Sequence, residues 1–221
     1  MQRWARAAEV KRLLILGCGG HGRVVADTAL DAGYASVAFL DDAAPRQDGP
    51  VLPGPVLGPM SAMADLVDEW ESAISSVGNN DVRLSLFRQI RNLAFRTPAI
   101  VHPSAVVSRQ AVLADGVFVA PGAVIGVGAR IGEASIVNTG ARIDHDCFVG
   151  DGCHIAPGAT LSGNVKIGER AWLGTGCCVR QGTTIGDDVV VGVGAAVVSD
   201  LSPGKTYVGV PARPMKIRNS G

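Results

Sequence analysis

A six-residue period governs the second half of this chain. From Val101 in steps of six the sequence meets Val107, Leu113, Val119, Ile125, Ile131, Val137, Ile143, Val149, Ile155, Leu161, Ile167, Leu173, Val179, Ile185, Val191 and Val197, an unbroken aliphatic series. Four residues after each stands a small or β-branched residue, among them Ala105, Ala123, Cys147, Cys153, Ala171 and Ala195. The period is too long for strand alternation and is no helical repeat. A short flat strand followed by a corner every six residues satisfies it, with the aliphatic side chain inside and the small residue where the chain turns. Three such faces close a triangular coil of about 18 residues, and stacked coils pair their backbones and bury one aliphatic column, the physics of a parallel β-helix. Gly116, Gly122, Gly128, Gly140, Gly152, Gly158, Gly176, Gly182 and Gly194 fall at the expected corners, where backbone dihedrals unfavourable to other residues are needed. Glycine is accordingly abundant, 29 of 221 residues, and aromatics are scarce at 5%.

The first half reads differently. Residues 12–17 form an apolar run ending in glycine, and His21 to Gly33 carries Val24, Val25 and Ala29 at helical spacing. Ser36 to Asp41 is a second strand, followed by a loop rich in proline from Pro45 to Pro59. Ser61 can cap a short helix to about Glu69, Ala73 to Val77 is a third strand, and Asn80 can cap a helix with Leu84, Phe87, Ile90 and Ala94 on one face. Alternation of this kind predicts a parallel sheet. The expected division is 1–99 for this α/β unit and 100–221 for the β-helix.

Twenty basic and 20 acidic residues cancel, so no bulk field draws in nucleic acid or an anionic membrane. Cys18, Cys147, Cys153, Cys177 and Cys178 are an odd set without a CxxC pair, which indicates neither a disulfide framework nor a zinc knuckle and favours a reducing compartment. No apolar run approaches the length of a membrane span, and the first residues lack a signal-peptide core. A cytoplasmic protein is expected.

Gly17, Gly19 and Gly22 form G-x-G-x-x-G between a strand and a helix, with Asp41 at the end of the next strand. The pattern requires a phosphate at a helix N-terminus and an acid near a ribose or base, which a dinucleotide and a nucleotide sugar satisfy equally. In the repeat, His145 stands two residues after inward Ile143 and so points outward, where a neutral imidazole can take a proton from an attacking nucleophile. Asp146 or Asp144 can orient it. His154 precedes inward Ile155 and also faces out. Zinc chemistry of the γ-carbonic anhydrase type needs three convergent histidines, and the repeat holds only His145 and His154 besides His102 at its edge, so no metal is expected.

The segments GCGGHG (17–22), FLDD (39–42), GNN (78–80), IDHDC (143–147), CHIAPGA (153–159), SGNVKIG (162–168) and YVGVPARPMK (207–216) together resemble the NeuD/PglD-like family of sugar acyltransferases, over nearly the full length. The resemblance implies a small Rossmann-like βαβ domain followed by a left-handed β-helix. It implies an acetyl-CoA-dependent, homotrimeric N-acetyltransferase acting on a nucleotide-linked amino sugar in lipopolysaccharide or protein glycosylation. An O-acetyltransferase of sialic acid or another sugar hydroxyl is the alternative, and a non-enzymatic binding module a remote one. By the same resemblance Gly19, Gly20, His21, Asp41 and Asp42 hold the nucleotide sugar, and His145 with Asp146 performs catalysis. His154 meets the thioester end, while Gly163, Gly174, Thr175, Val193 and Gly194 line the groove for acetyl-CoA between neighbouring β-helices. Lys205, Arg213, Lys216 and Arg218 follow the repeat as a basic run best read as a solvated face, Trp172, Cys147 and Cys153 read as packing, and His102 as structural.

Overall fold

A computed structural model describes residues 11–43 and 51–215. The first strand, β1 (Arg12–Leu16), is followed by α1 (Gly20–Asp31), β2 (Ser36–Leu40), β3 (Val56–Gly58), a 3-10 turn (Met60–Leu66), β4 (Ser72–Ser75) and α2 (Asn80–Asn92). The four strands make one parallel sheet in the order β3-β2-β1-β4. Alternate residues feed its two sides. Leu13, Ile15, Val37 and Phe39 pack on Val25, Ala26 and Ala29 of α1, while Leu14, Leu16, Ala38 and Leu40 pack on Met63, Trp70, Ile90 and Phe95.

Four local expectations are corrected. Strand β3 emerges from the proline-rich loop, because Pro53 and Pro55 leave the stretch extended and Val56 pairs with Phe39 at the sheet edge. Pro45 and Pro50 of that loop lie outside the described residues. Pro59, not Ser61, precedes the next turn, which is 3-10 rather than α. Asn79, not Asn80, caps α2, its side chain accepting from Val82 N. Finally, Val24 is 40% exposed and faces away from the sheet, and Ala94 lies past the end of α2 in a left-handed conformation, φ 64°.

From Ile100 onward the chain winds through two-residue strands, and each aliphatic of the period is the second residue of its strand. The strands stack every 18 residues into three parallel sheets. The first face carries Ile100, Phe118, Ile136, His154, Trp172 and Val190 as outward residues, the second Val106, Val124, Arg142, Thr160, Cys178 and Ala196, the third Val112, Arg130, Phe148, Lys166 and Thr184. This is the left-handed β-helix of the resemblance. The small residues at the turns point inward: Ala123, Cys147, Cys153, Ala159 and Ala171 are buried within the same column as the aliphatics, filling the narrow corners of the prism. The turning itself falls one residue earlier. Every sixth residue from 116 to 194 is left-handed, and where glycine is missing Ala134, Asp146, Asn164, Arg170 and Asp188 adopt φ of 52° to 59°.

The two halves share a core. Ile100, Phe118 and Ile136, the first outward residues of the first face, pack beneath α1 and β1. Arg83 of α2, 1% exposed, crosses the seam and donates to Ala134 O, Gly152 O and Cys153 O of the β-helix and to Val77 O and Gly78 O of its own domain. Asn80, released from capping, donates to Arg170 O and Ala171 O. His102 joins the end of α1 through Asp31, 3.1 Å away.

Candidate active site

His145 lies on the corner between the second and third faces, after the strand Arg142–Ile143 and before Phe148–Val149. The next residue, Asp146, takes the left-handed corner conformation (φ 57°), which turns its carboxylate back to 2.9 Å from His145 Nδ1. Asp144 serves the backbone instead, its Oδ1 accepting from His145 N at 2.8 Å. The hydrogen bond that Nδ1–H donates to Asp146, and then the charge of Asp144, hold the imidazole pKa above its ordinary value. With Nδ1 occupied, Nε2 is the free nitrogen. It lies over Gly163, where a Cβ would stand 2.3 Å from it, so only glycine admits the ring. Gly126 and Gly128 do the same for the backbone at His145 and for the Asp146 carboxylate. Asp144, His145, Ser162, Gly163, Asn164, Gln181 and Gly182 line a cavity of about 480 Å³ around the ring.

Asn164, Gly126 and Gln181 were not singled out from the sequence, and Gly128 only as a corner glycine, yet a signal existed. Each lies 18 or 36 residues from the Asp144–Asp146 segment, the coil length, and so stacks on it. Gly163, expected along the acyl-donor groove, likewise stacks on His145 by this arithmetic.

A second histidine cluster occupies the first face. His154 points outward from the prism, but α1 brings His21 against it: ring centroids stand 6.4 Å apart, with Phe118 5.1 Å from His21 and Trp172 6.3 Å from His154. Burial, then mutual proximity and the Arg83 cation, push His21 down to about 3; burial and Arg83 push His154 down to about 4. Both rings are neutral at physiological pH. Asn138 reaches His154 Nε2 at 3.0 Å.

In the glycine loop, Gly22 packs so closely on Gly17 O that a Cβ would stand 2.0 Å away, whereas Gly19 and Gly20 have open space at the helix start. Asp41 was expected to await a ribose or base; here its oxygens accept from Cys18 N (2.7 Å) and Ala43 N (2.9 Å), fastening the loop. Burial raises its pKa, but these N–H donors outweigh that and lower it. Asp42 accepts from Met60 N at 2.9 Å. Asp41 and Asp42 border a cavity of about 340 Å³ with Val56, Leu57 and Gly58.

One chain does not bring the expected residues together. His145, Asp146 and Gly163 share the corner between faces two and three. His154 lies on the opposite first face, with His21 against it. Gly174, Thr175, Val193 and Gly194 lie on the corner between faces one and two. Gly174 is buried by coil stacking, while Thr175, Gly194 and Val193, 71% exposed, form an open edge. Cys147 and Cys153 are buried, which raises both thiols, Cys153 to about 12. Lys205 and Arg213 are exposed; Lys216 and Arg218 lie outside the described residues. Among the described residues no group of three His, Cys, Asp or Glu is placed to hold a metal, and no helix is long and apolar enough to cross a membrane.

Residues 12–90 match the family model of the PglD N-terminal domain. The acetyltransferase domain of PglB from Neisseria gonorrhoeae FA1090, solved with acetyl coenzyme A, is 41% identical over 93% of this chain and 99% of that one, with a TM-score of 0.88. PerB from Caulobacter crescentus, in complex with CoA and GDP-perosamine, is 38% identical over 96% of this chain and 100% of that one, TM-score 0.88. WeeI from Acinetobacter baumannii AYE is 25% identical over 92% and 99%, TM-score 0.81. With its glycine-loop domain, its hexapeptide coils and these full-length likenesses, the chain belongs to the PglD/NeuD-like family of hexapeptide-repeat acetyltransferases.

Proposed function

We propose that the protein transfers acetyl from acetyl-CoA to the amino group of a nucleotide-linked sugar, with His145 as general base. The observation that carries this is the His145 ring itself: Nδ1 held by Asp146, Nε2 bare over Gly163 and facing a cavity. As the amine attacks the thioester carbonyl, a C–N bond forms and the C–S bond breaks. The amine proton passes to Nε2, and the coenzyme leaves as its thiolate. Asp146 fixes the tautomer and stabilises the imidazolium formed, as a carboxylate does in a triad. An amine is favoured over a hydroxyl acceptor because PerB, similar over its whole length, is described with GDP-perosamine, an amino-sugar nucleotide.

The active unit in this reading is a cyclic homotrimer, with residues 1–99 binding the nucleotide sugar and 100–221 the acyl donor. Its support is the division of site residues between opposite sides of one prism, since a neighbouring copy can set its His145 corner against the first face and the Thr175–Val193 edge. A panel of nucleotide-linked amino sugars and their hydroxy counterparts, assayed for CoA thiol release, tests the chemistry: release with amines is expected, and release with hydroxyls alone selects O-transfer. Light scattering that finds an active monomer removes the trimer.

A further inference from the structure

A serine, a histidine and an aspartate meet where the two domains join, away from His145. The backbone N–H of Ser104 donates to His102 Nδ1 at 3.0 Å, and an N–H can only donate. Nδ1 is therefore the unprotonated nitrogen, and the ring proton is on Nε2, 3.1 Å from Asp31 Oδ2 at the end of α1. Ser104 Oγ lies 2.7 Å from the same Nδ1, so its hydroxyl hydrogen points at the imidazole. The oxygen is held from its other side as well. In the following coils Gly140, Gly158 and Gly176 donate their corner N–H to a backbone carbonyl one coil before, Pro121 O, Thr139 O and Pro157 O. Gly122 instead donates to Ser104 Oγ at 3.2 Å, a coil-stacking bond diverted onto a side chain. Ser104 is exposed and the His102 side chain 17% exposed; both lie in the first coil, at the opposite end of the β-helix from the Thr175–Val193 edge.

We propose that Ser104 is a nucleophile and a self-acylation site for activated acyl donors, thioesters and aryl esters, with His102 as its base and Asp31 orienting the ring. This chemistry is separate from transfer to a sugar and does not use His145. Oγ attacks the acyl carbon, an O–C bond forms, and the hydroxyl proton passes to Nδ1, giving an imidazolium that faces the Asp31 carboxylate. The C–S or C–O bond of the donor then breaks. The thiolate or phenolate leaves, the proton on Nδ1 returns to it or to water, and an ester remains on Ser104. Protonation of Nδ1 releases the Ser104 N–H, a donor of the kind that serves an oxyanion. No second one stands free beside it: Ala105 N is committed to His102 O and Gly122 N to Oγ. Hydrolysis of the ester by water therefore lacks its oxyanion support, so the site takes one acyl group and holds it.

Peptide mapping by mass spectrometry, after incubation with p-nitrophenyl acetate and separately with acetyl-CoA without a sugar nucleotide, reads the modification site by site. Expected is one acetyl group on Ser104 and none on Ser108, a corner serine whose Oγ accepts from Gln110 N with no histidine beside it. A positioned base is worth roughly 10² to 10⁴ in rate, so H102Q should slow acylation of Ser104 about 10²-fold or more, and D31N about tenfold. S104A should lose the label and keep acetyl transfer to a sugar nucleotide within about threefold. H145A should leave the labelling of Ser104 intact. Acetyl groups confined to lysine amines or Cys178 with both reagents, equal labelling of Ser108 and Ser104, or a rate unmoved in H102Q each overturns the proposal and leaves the trio as a latch between α1 and the first coil. Labelling lost in H145A would mean a relay from that site and overturn the role of His102. The Ser104 to Ser108 ratio in the parent decides the question even where H102Q does not fold. A parent that transfers no acetyl group to a sugar would instead sink the functional reading, with the labelling of Ser104 unaffected.

Discussion

His145 and His154 stand nine residues apart on the same solenoid, yet they are driven in opposite directions. His145 occupies an open corner between two carboxylates and is pushed toward its charged form; His154 lies beneath another domain beside a buried guanidinium and is pushed to about 4. Sequence periodicity assigns both simply to the outside of the prism. What separates them is the neighbour each meets there, solvent in one case and α1 with Arg83 in the other. An outward position on a β-helix is thus an address and not an environment.

The contrast can be broken at its strongest point first. His145→Ala should lower kcat by roughly two to four orders of magnitude while leaving acetyl-CoA binding within about threefold, measured by steady-state kinetics and calorimetry; near-normal turnover would end its assignment as base. Gly163→Ala should come next, at about 10²-fold in kcat with little change in Tm, because the added methyl displaces the ring without touching the aliphatic column. A melting temperature that fell in step with kcat would instead show the glycine holding the coil.

Stability against pH sharpens the comparison from the other side. His21 and His154 are neutral in the fold, with pKa about 3 and about 4, and ordinary near 6.5 when unfolded. The unfolded chain therefore binds more protons between those values, and stability should fall as pH drops from about 6.5 toward 4. H154Q should flatten that slope, and H145A should leave it intact, both read by thermal melts in parallel buffers. The smallest effect belongs to Asp144→Asn. It keeps an oxygen for His145 N but removes a charge, so the acidic limb of the rate profile should move slightly to lower pH, the base being freed from its proton more readily. An unmoved limb would mean that the Asp144 charge is screened.

Much of this was legible in the residues themselves. The six-residue series set every strand of the β-helix, and the left-handed corners fell where the glycines stood. The same series, counted in eighteens, holds the stacking of Gly163 on His145. Arg83 was not legible, because an arginine on an amphipathic helix ordinarily faces water, and only the docking of α2 on the coils turns it inward. Nor was the cover over His154, which depends on where the start of α1 is carried in space. Capping by Asn79 rather than Asn80 was open because either amide can satisfy a helix start, and the choice was made by Arg170 O and Ala171 O, ninety residues away. Strand β3 hid behind its prolines.

The repeating left-handed corner has a consequence for how such chemistry can be relocated. Asp146 shows that a carboxylate can stand in a corner glycine's place with the winding intact, and Asn164 holds the same conformation one coil on. The His145–Asp146 pair is therefore a cartridge seated in a rack of equivalent slots. Shifting it by one coil takes five changes: Gly163→His and Asn164→Asp seat the new pair, Gln181→Gly clears the slot under the new ring, and His145→Val with Asp146→Gly vacates the old position as Val127 and Gly128 do one coil before. The solenoid acts as a ruler along which a reactive group can be moved in steps of one coil height relative to the fixed glycine-loop domain.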